Sequence, residues 1–251
     1  MKGRLYLVPA PLDFGCEVQS PIAHSMPTHT LRVTAGLRYW ICENAKSTRA
    51  YLKRVGDVVP LSAPLQTMDF AELPHAIHKK GDHGSDFDAR VLLGPTQSGT
   101  DMGLVSEAGM PAVADPGASV VRAAHALGIV VVPLVGPVSL LLALAASGMN
   151  GQSFAFVGYV PTDAAERTAK IKTLEALARN TGQTQIVIET PYRNSALLLA
   201  LTQSLHASTR LSTSSGITLE TEVHRSASIA QWRSAGWSLD NRVPTVFCIG
   251  H

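Results

Sequence analysis

Cysteine is scarce in this chain, with three in 251 residues, at positions 16, 42 and 248. An odd, widely spaced set argues against a disulfide framework and fits a reducing, cytoplasmic setting. Net charge is almost absent too: 21 Lys and Arg against 19 Asp and Glu leave +2. That balance excludes the strongly basic footprint by which many nucleic-acid binders are recognised. The first residues lack the apolar segment and small-residue cleavage site of a secretory leader. Between Gly128 and Gly148 there is no charged residue for 21 positions, enough on length alone to cross a bilayer. Pro133, Gly136 and Pro137 interrupt that run where a strand should stop and a helix start, which argues against a span. Internal repeats and low-complexity segments are missing as well.

What is present is an ordinary globular composition, 45% hydrophobic and 16% charged, with length for one large or two modest domains. The segment from Met102 to Gly148 organises it. Met102 to Ser106 reads as a strand and runs into Glu107-Ala108-Gly109-Met110-Pro111, then Ala114-Asp115-Pro116-Gly117. Small residues and prolines at that density let backbone approach a ligand and fix the shape of a loop. Ala118 to Leu127 has helical spacing with Gly128 to stop it, and Asp115 is placed to cap it. Ile129 to Val132 is β-branched and reads as a buried parallel strand. Val135-Gly136-Pro137 then opens a second helix, with Pro137 in the first turn where it is tolerated. Loops at the C-terminal ends of parallel strands are where open α/β sheets bind ligands, so this segment predicts a small-molecule cleft.

The remaining pattern is α/β throughout. Arg4 to Val8 is a strand closed by Pro9-Ala10-Pro11-Leu12-Asp13, and a short helix is expected over Thr28 to Ala35. Trp40 to Cys42 is a strand leading into Glu43-Asn44-Ala45-Lys46, with a helix whose basic flank is Lys46, Arg49 and Lys53. That flank is either a solvated face or a holder for an anionic substrate. Phe70 to Lys80 and Asp86 to Leu93 look helical. His75, His78 and His83 raise a metal question, but no recognised ligand spacing completes it, so no metal is expected. Gly94 to Gly99 has the frame of a phosphate loop, with Thr100 where lysine is needed and a strand following rather than preceding. Met149 to Ser153 is a polar hinge, giving expected domains of 1–148 and 149–251. Beyond it come strands at Phe154 to Val157, Gln185 to Glu189, Leu211 to Ser214, Ile217 to Val223 and Val243 to Ile249. Helices are expected at Ala164 to Arg179, capped by Asp163, and at Ser195 to Leu205. Cys42 and Cys248 fall in strands, as small buried hydrophobes. The fold class is two α/β domains, each with a mostly parallel or mixed sheet flanked by helices.

Five motifs occur in order: LYLVPAP, VSEAGMPAVADPG, VVPLVGPVSLLLALAASG, FVGYVP and IETPYR. Together they resemble the tetrapyrrole-methylase-like superfamily of S-adenosylmethionine (SAM) methyltransferases, and within it the bacterial 16S rRNA cytidine 2′-O-ribose methyltransferase I group. The match departs at Pro9 to Phe14, Glu43 to Lys46 and Ser106 to Pro111, where that group tends to show PTPIGN, EDTR and SDAGTP. The resemblance implies SAM held in a cleft between two domains, a homodimer, and ribosomal RNA as acceptor. It assigns cofactor contact to Pro9, Ala10, Pro11, Ser106, Glu107, Ala108, Gly109, Met110, Gly136, Pro137, Val138 and Ser139. Glu43 and Lys46 would assist the acceptor, and Tyr192 and Arg193 would touch cofactor or acceptor. C-methylation of a tetrapyrrole, and a non-catalytic SAM- or RNA-binding module, are the alternative readings.

Overall fold

The computed structural model describes residues 2–74, 82 and 87–251. It divides into two compact units, one of Met1–Phe14 with Ser20–Pro137, the other of Gly15–Gln19 with Val138–His251.

The first unit is built on five parallel strands: β1 Arg4–Val8, β2 Tyr39–Cys42, β3 Asp69–Glu72, β4 Met102–Val105 and β5 Val130–Pro133. Their order is β3-β2-β4-β1-β5, with Tyr6 opposite Gly103 and Trp40 opposite Gly103 on its other side. Helices cover both faces, so the central strands are apolar at nearly every position. Alternate residues serve opposite cores: Val8, Trp40, Cys42 and Val105 face one cluster, and Leu5, Ile41, Met102 and Leu104 face the other. The first cluster takes in residues of α1 (Thr28–Gly36) and α2 (Ala45–Gly56), such as Leu31 and Leu52. The second takes in Leu93, from a 3-10 turn over Ala89–Leu93 that leads into α3 (Gly94–Gln97), and Val120 of α4 (Ala118–Ala126).

Three expectations are corrected here. Phe70 to Glu72 is an edge strand, not helix, because Phe70 pairs with Trp40 across the ladder; the rest of that expected helix, 75–80, lies outside the described residues. The next expected helix is a 3-10 turn from Ala89, with residue 86 outside the description. β5 is parallel as expected but lies at the sheet edge, and Val130 is exposed. Gly94 to Gln97 is a short helix ahead of β4, consistent with setting aside a phosphate loop.

The second unit holds β6 Phe154–Phe156, β7 Thr184–Ile188, β8 Arg210–Ser215, β9 Val223–Ser228 and β10 Thr245–Gly250. The order is β6-β7-β10-β8-β9, parallel between β6 and β7 and antiparallel elsewhere. Its helices are α5 Ser139–Ser147, α6 Ala164–Thr181, α7 Asn194–Ser204 and α8 Ile229–Ala235. Asp163 caps α6 by accepting from the amides of Ala165 and Glu166, 2.9 Å each. Phe247, Ile171, Leu197 and Trp232 fill the core, the Trp232 indole donating to the carbonyl of Leu211 at 2.9 Å. Helix α5 packs on β10, β8 and β9, and Ser226 donates to the carbonyl of Ser147 at 2.6 Å. The division between the units thus falls before α5, where the sequence pattern puts the hinge after it. The expected strand over Ile217 to Val223 is a loop, with Gly216 and Thr218 at φ +62° and +74°. β9 begins only at Val223, and its polar VHRSAS sequence hides an edge strand from periodicity.

Cys42 and Cys248 are buried as expected. Burial pushes the Cys42 thiol up to about 11 and the Cys248 thiol up to about 12, so neither is a ready nucleophile. No helix among the described residues is long and apolar enough to cross a membrane. Gly128 to Gly148 resolves into β5, a loop and α5.

Candidate functional site

Parallel strands end together, so the loops after β1, β2, β4 and β5 gather along one edge of the first sheet. The structure fastens these four loops to one another. Ala10 and Gly109 exchange both backbone hydrogen bonds, 2.9 Å each way, joining the loop after β1 to the loop after β4. Gly109 has φ +71°, a left-handed conformation that glycine adopts without strain. A methyl group there would meet Leu12 Cδ2 at 3.3 Å and the Pro137 carbonyl at 3.7 Å. Gly136 lies so close to Pro9 that a Cβ on it would fall 2.2 Å from the Pro9 ring. The loop after β5 is therefore seated directly on the loop after β1. Tyr51 of α2 donates its hydroxyl to the Pro9 carbonyl at 3.0 Å. Burial, ahead of every other influence, holds that phenol above its ordinary range.

The loop after β1 has a second anchor. Asp13 is buried and takes a two-pronged hydrogen bond from Arg54, at 2.9 and 2.8 Å, and a third from the amide of Ser20 at 3.1 Å. Arg54 also donates to the Ser20 carbonyl at 2.8 Å. A paired, hydrogen-bonded buried charge of this kind specifies geometry more than it adds stability.

The loop after β2 carries the acid chemistry. Asn44 caps α2, accepting from the amides of Lys46 and Ser47 at 2.8 and 3.2 Å. Glu72 accepts from the amide of Ala45 at 2.6 Å. One residue before the cap, Glu43 accepts from the amide of Glu107 at 3.3 Å. Ser47 donates to the Glu107 carboxylate at 3.1 Å. Asp115 completes the group. Burial first, then the charges of Glu43 and Glu107, push its carboxyl from 3.8 up to about 7. Three carboxylates thus share one corner, and one of them holds its proton close to neutrality.

The sequence expectation that Asp115 caps α4 is overturned. Gly117 is the cap residue, and the capping carboxylate is Asp82, far away in sequence. Asp82 accepts from the amides of Gly117, Ala118 and Ser119 at 2.9, 3.1 and 2.8 Å, and from the Ser119 hydroxyl at 2.6 Å. Burial alone would raise its pKa, but these hydrogen bonds win and hold it below the ordinary carboxylate range. With α4 capped from elsewhere, Asp115 is left for the acidic corner.

Of the expected site residues, Pro9, Ala10, Gly109, Gly136 and Pro137 meet in the interlocked loops, with Pro11, Ala108 and Met110 flanking them in chain. Glu43 and Glu107 meet in the acidic corner. Ser106 is 5% exposed and its hydroxyl has no hydrogen-bond partner among the described residues. Lys46 is exposed on the first turn of α2, and Arg49 of the same basic flank stacks on the Phe70 ring at 4.3 Å. Val138 and Ser139 belong to the second unit, at the start of α5. So do Tyr192 and Arg193. Tyr192 is 72% exposed, not a core residue. Arg193 reaches Glu189 at 3.4 Å, and Glu189 also accepts from the amide of Thr190 at 2.9 Å. Asp115, Ser47 and Tyr51 are the residues that sequence reasoning left out of the site. The Ala-Asp-Pro-Gly run could have pointed to Asp115, had it not also looked like a cap. Among the described residues no group of His, Cys, Asp or Glu is arranged to hold a metal, and His75, His78 and His83 lie outside them.

Comparison with known proteins places the architecture. A uroporphyrin-III C-methyltransferase from Thermus thermophilus superposes over 99% of this chain and 94% of its own, with TM-score 0.55 and 18% identity. A crystal structure of the Thermus thermophilus enzyme complexed with S-adenosylhomocysteine matches over 99% and 98% of the two chains, with TM-score 0.54 and 17% identity. The fold is that of these C-methyltransferases. The sequence is similar to proteins called ribosomal RNA small subunit methyltransferase I. Identity is 38% over 116 residues with the Pseudomonas aeruginosa protein, covering 46% of this chain and 38% of that one. It is 30% over 178 residues with the Escherichia coli O157:H7 protein, covering 71% and 54%, and 28% over 247 residues with the Bacillus subtilis protein, covering 98% and 74%. The first two matches thus span 38% and 54% of those relatives' lengths. No protein-family model matches the sequence.

Proposed function

We propose that this chain is a SAM-dependent methyltransferase whose acceptor is an RNA hydroxyl, the ribose 2′-O of ribosomal RNA being the specific assignment. The observation that carries it is the joining of the glycine-lined loops after β1, β4 and β5 to an acidic corner that holds a carboxyl titrating near neutrality. The sequence similarity to small-subunit rRNA methyltransferases supports the choice of acceptor.

The residues present suit the cofactor. Ser106 keeps a buried hydroxyl unpartnered at the end of β4, and Gly109 and Gly136 leave backbone where side chains would otherwise stand. Pro9 to Pro11, Ser106 to Met110 and Gly136-Pro137 would hold the ligand on this edge. Bound SAM would supply a methyl group on a positively charged sulfur, open to in-line displacement without a metal. The protein's tasks are alignment of the two reacting atoms at about 3–3.5 Å and exclusion of water. Loops fastened at Ala10–Gly109 and Pro9–Gly136 are rigid enough for that alignment.

A ribose hydroxyl is a weak nucleophile and must lose its proton as the oxygen–methyl bond forms and the sulfur–methyl bond breaks. Asp115 in its charged form takes that proton, with Glu43 and Glu107 keeping its affinity for it high. Lys46, exposed beside Glu43 in the chain, contributes a positive charge toward a phosphate of the acceptor strand. The reading includes a homodimer, which the resemblance supports, and a cytoplasmic setting, which the scarce, odd-numbered and widely spaced cysteines support.

The test is methyl transfer from labelled SAM to RNA of a strain lacking the gene, followed by mass spectrometry of the nucleosides. A 2′-O-methylnucleoside restored by the purified protein is the expected result. Tight SAM binding with no transfer to any RNA would overturn the enzymatic reading.

A further inference from the structure

At the opposite edge of the first sheet, where β2 and β4 begin, the surface carries an open cavity of about 320 Å³. Its walls come from three places: Arg32 and Val33 on α1, Leu37 and Arg38 on the link into β2, and Thr100 and Asp101 ahead of β4. Tyr6 of β1 also lines it and packs against the first core cluster. Asp101 to Ser106 is roughly 16 Å of extended chain, so the cavity is remote from the interlocked loops.

The chemistry of the walls is specific. Arg32 and Arg38 are both exposed, and neither guanidinium has a carboxylate partner among the described residues. The one acid in the lining, Asp101, already accepts the amide of Arg4 at 2.7 Å. Two cations against one acid leave the cavity positive in a chain that is otherwise nearly balanced. Guanidinium groups match phosphate oxygens in a forked geometry that lysine cannot copy. An aromatic ring flanked by aliphatic side chains offers a flat surface on which any base can stack. The cavity volume lies at the lower end of the range for small-ligand sites and suits one nucleotide rather than a whole oligonucleotide.

We infer that this cavity holds one nucleotide of an RNA strand, its phosphate between Arg32 and Arg38 and its base against Tyr6. It rests on the reading of the acceptor as RNA and adds to it a second point of attachment, remote from methyl transfer. Two separated contacts explain how a chain with little net charge can engage a polyanion. The affinity comes from a few placed arginines instead of a basic surface.

The experiment is titration of a short single-stranded oligoribonucleotide into the full chain at two salt concentrations. The paired variant Arg32→Gln with Arg38→Gln, and separately Tyr6→Leu, are compared with a control of equal charge loss on α6, Lys172→Gln with Arg179→Gln. The arginine pair should weaken RNA binding roughly tenfold or more and flatten its salt dependence. Tyr6→Leu should weaken it by roughly tenfold with the salt slope unchanged. The α6 control should change little, and all three variants should bind S-adenosylhomocysteine as the parent does. Equal losses in the α6 control, or undiminished binding in the arginine pair, would overturn the inference. If the parent methylates RNA while the arginine pair behaves like it, the cavity assignment alone fails. If the parent binds no RNA at all, the acceptor reading fails and takes the cavity with it.

Discussion

Ala10 and Gly109, ninety-nine positions apart, form a two-residue antiparallel bridge between loops that leave neighbouring parallel strands. The bridge closes the gap that parallel pairing leaves beyond the ends of β1 and β4. Gly109 makes it at φ +71°, where a side chain would strain the backbone. Substituting Gly109 therefore tests fold and site together. Gly109→Val should cost about 1–2 kcal/mol through left-handed backbone strain. It should also weaken S-adenosylhomocysteine binding by roughly tenfold or more, since each ~1.4 kcal/mol of lost contact is a factor of ten. Lys46→Ala should bind the same ligand as the parent does while losing methyl transfer. Calorimetric titration, with thermal melts to show that both variants fold, checks the pair; parent-like binding by Gly109→Val would move the cofactor site elsewhere.

Asp115 makes the chain's response to pH specific. Its folded pKa of about 7 lies above the 3.8 of an unperturbed carboxyl, so between those values the folded state binds the extra proton. Stability contributed by this group is then full below about pH 4, declines as pH rises through about 7, and levels off above. Asp115→Asn should raise the melting temperature most at pH 8, less at pH 5, and leave it nearly unchanged below about pH 4. Methyl transfer by the parent should rise with pH through about 7 and be lost in the variant. Melts and rates across that range check both halves. A variant no more stable at pH 8 than the parent would show that the carboxyl is not held against its charge.

Arg54 and Asp13 form a two-pronged ion pair whose acid is almost wholly enclosed, with side-chain exposures of 22% and 3%. Arg54→Ala would leave that carboxylate buried with, among the described residues, the Ser20 amide alone, and should cost about 3–5 kcal/mol. Arg90→Ala, which breaks a pair exposed to 63% and 49%, should leave stability almost unchanged, because solvent screens the pair. Denaturant titration of the two variants makes the comparison, and equal losses would contradict the assignment of burial as the cause.

Asp82 holds the first turn of α4 by four hydrogen bonds. Asp82→Ala should lose about 1–2 kcal/mol near neutral pH, at the upper end for a capping residue. Because its folded pKa is lowered, the stabilisation is present above the ordinary carboxylate range and is lost as pH falls below it. Parent and variant should therefore converge in acid. A constant gap down to acidic pH would mean that the charge on Asp82 does not matter to the cap.

Much of this was legible in the chain. β1, β4 and the helix after each loop follow from runs such as RLYLV and MGLV, apolar at nearly every position because helices cover both faces. The loops were legible because proline and glycine punctuate them. Phe70 misled because a four-residue edge strand, DFAE, is too short to show the alternation that marks a strand. β9 misled because Val223–Ser228 lies at a sheet edge and carries polar side chains where an interior strand would be apolar.

The site divides in the same way. Which residues stand at strand ends was determined by local pattern: strand propensity, breakers and small side chains set the loops at Pro9, Ser106 and Gly136. Which of those residues touch was decided only by tertiary structure, since strand order brings the end of β2 beside that of β4. Glu43, Glu107 and Asp115 gain their shared electrostatics there, and no spacing in the chain encodes it. Asp115 shows this most plainly. The sequence determined a carboxylate before Pro116, but Asp82, thirty-three positions away, took the capping role and freed Asp115 for the acidic corner. Charge acts through space, and only the folded chain fixes those distances.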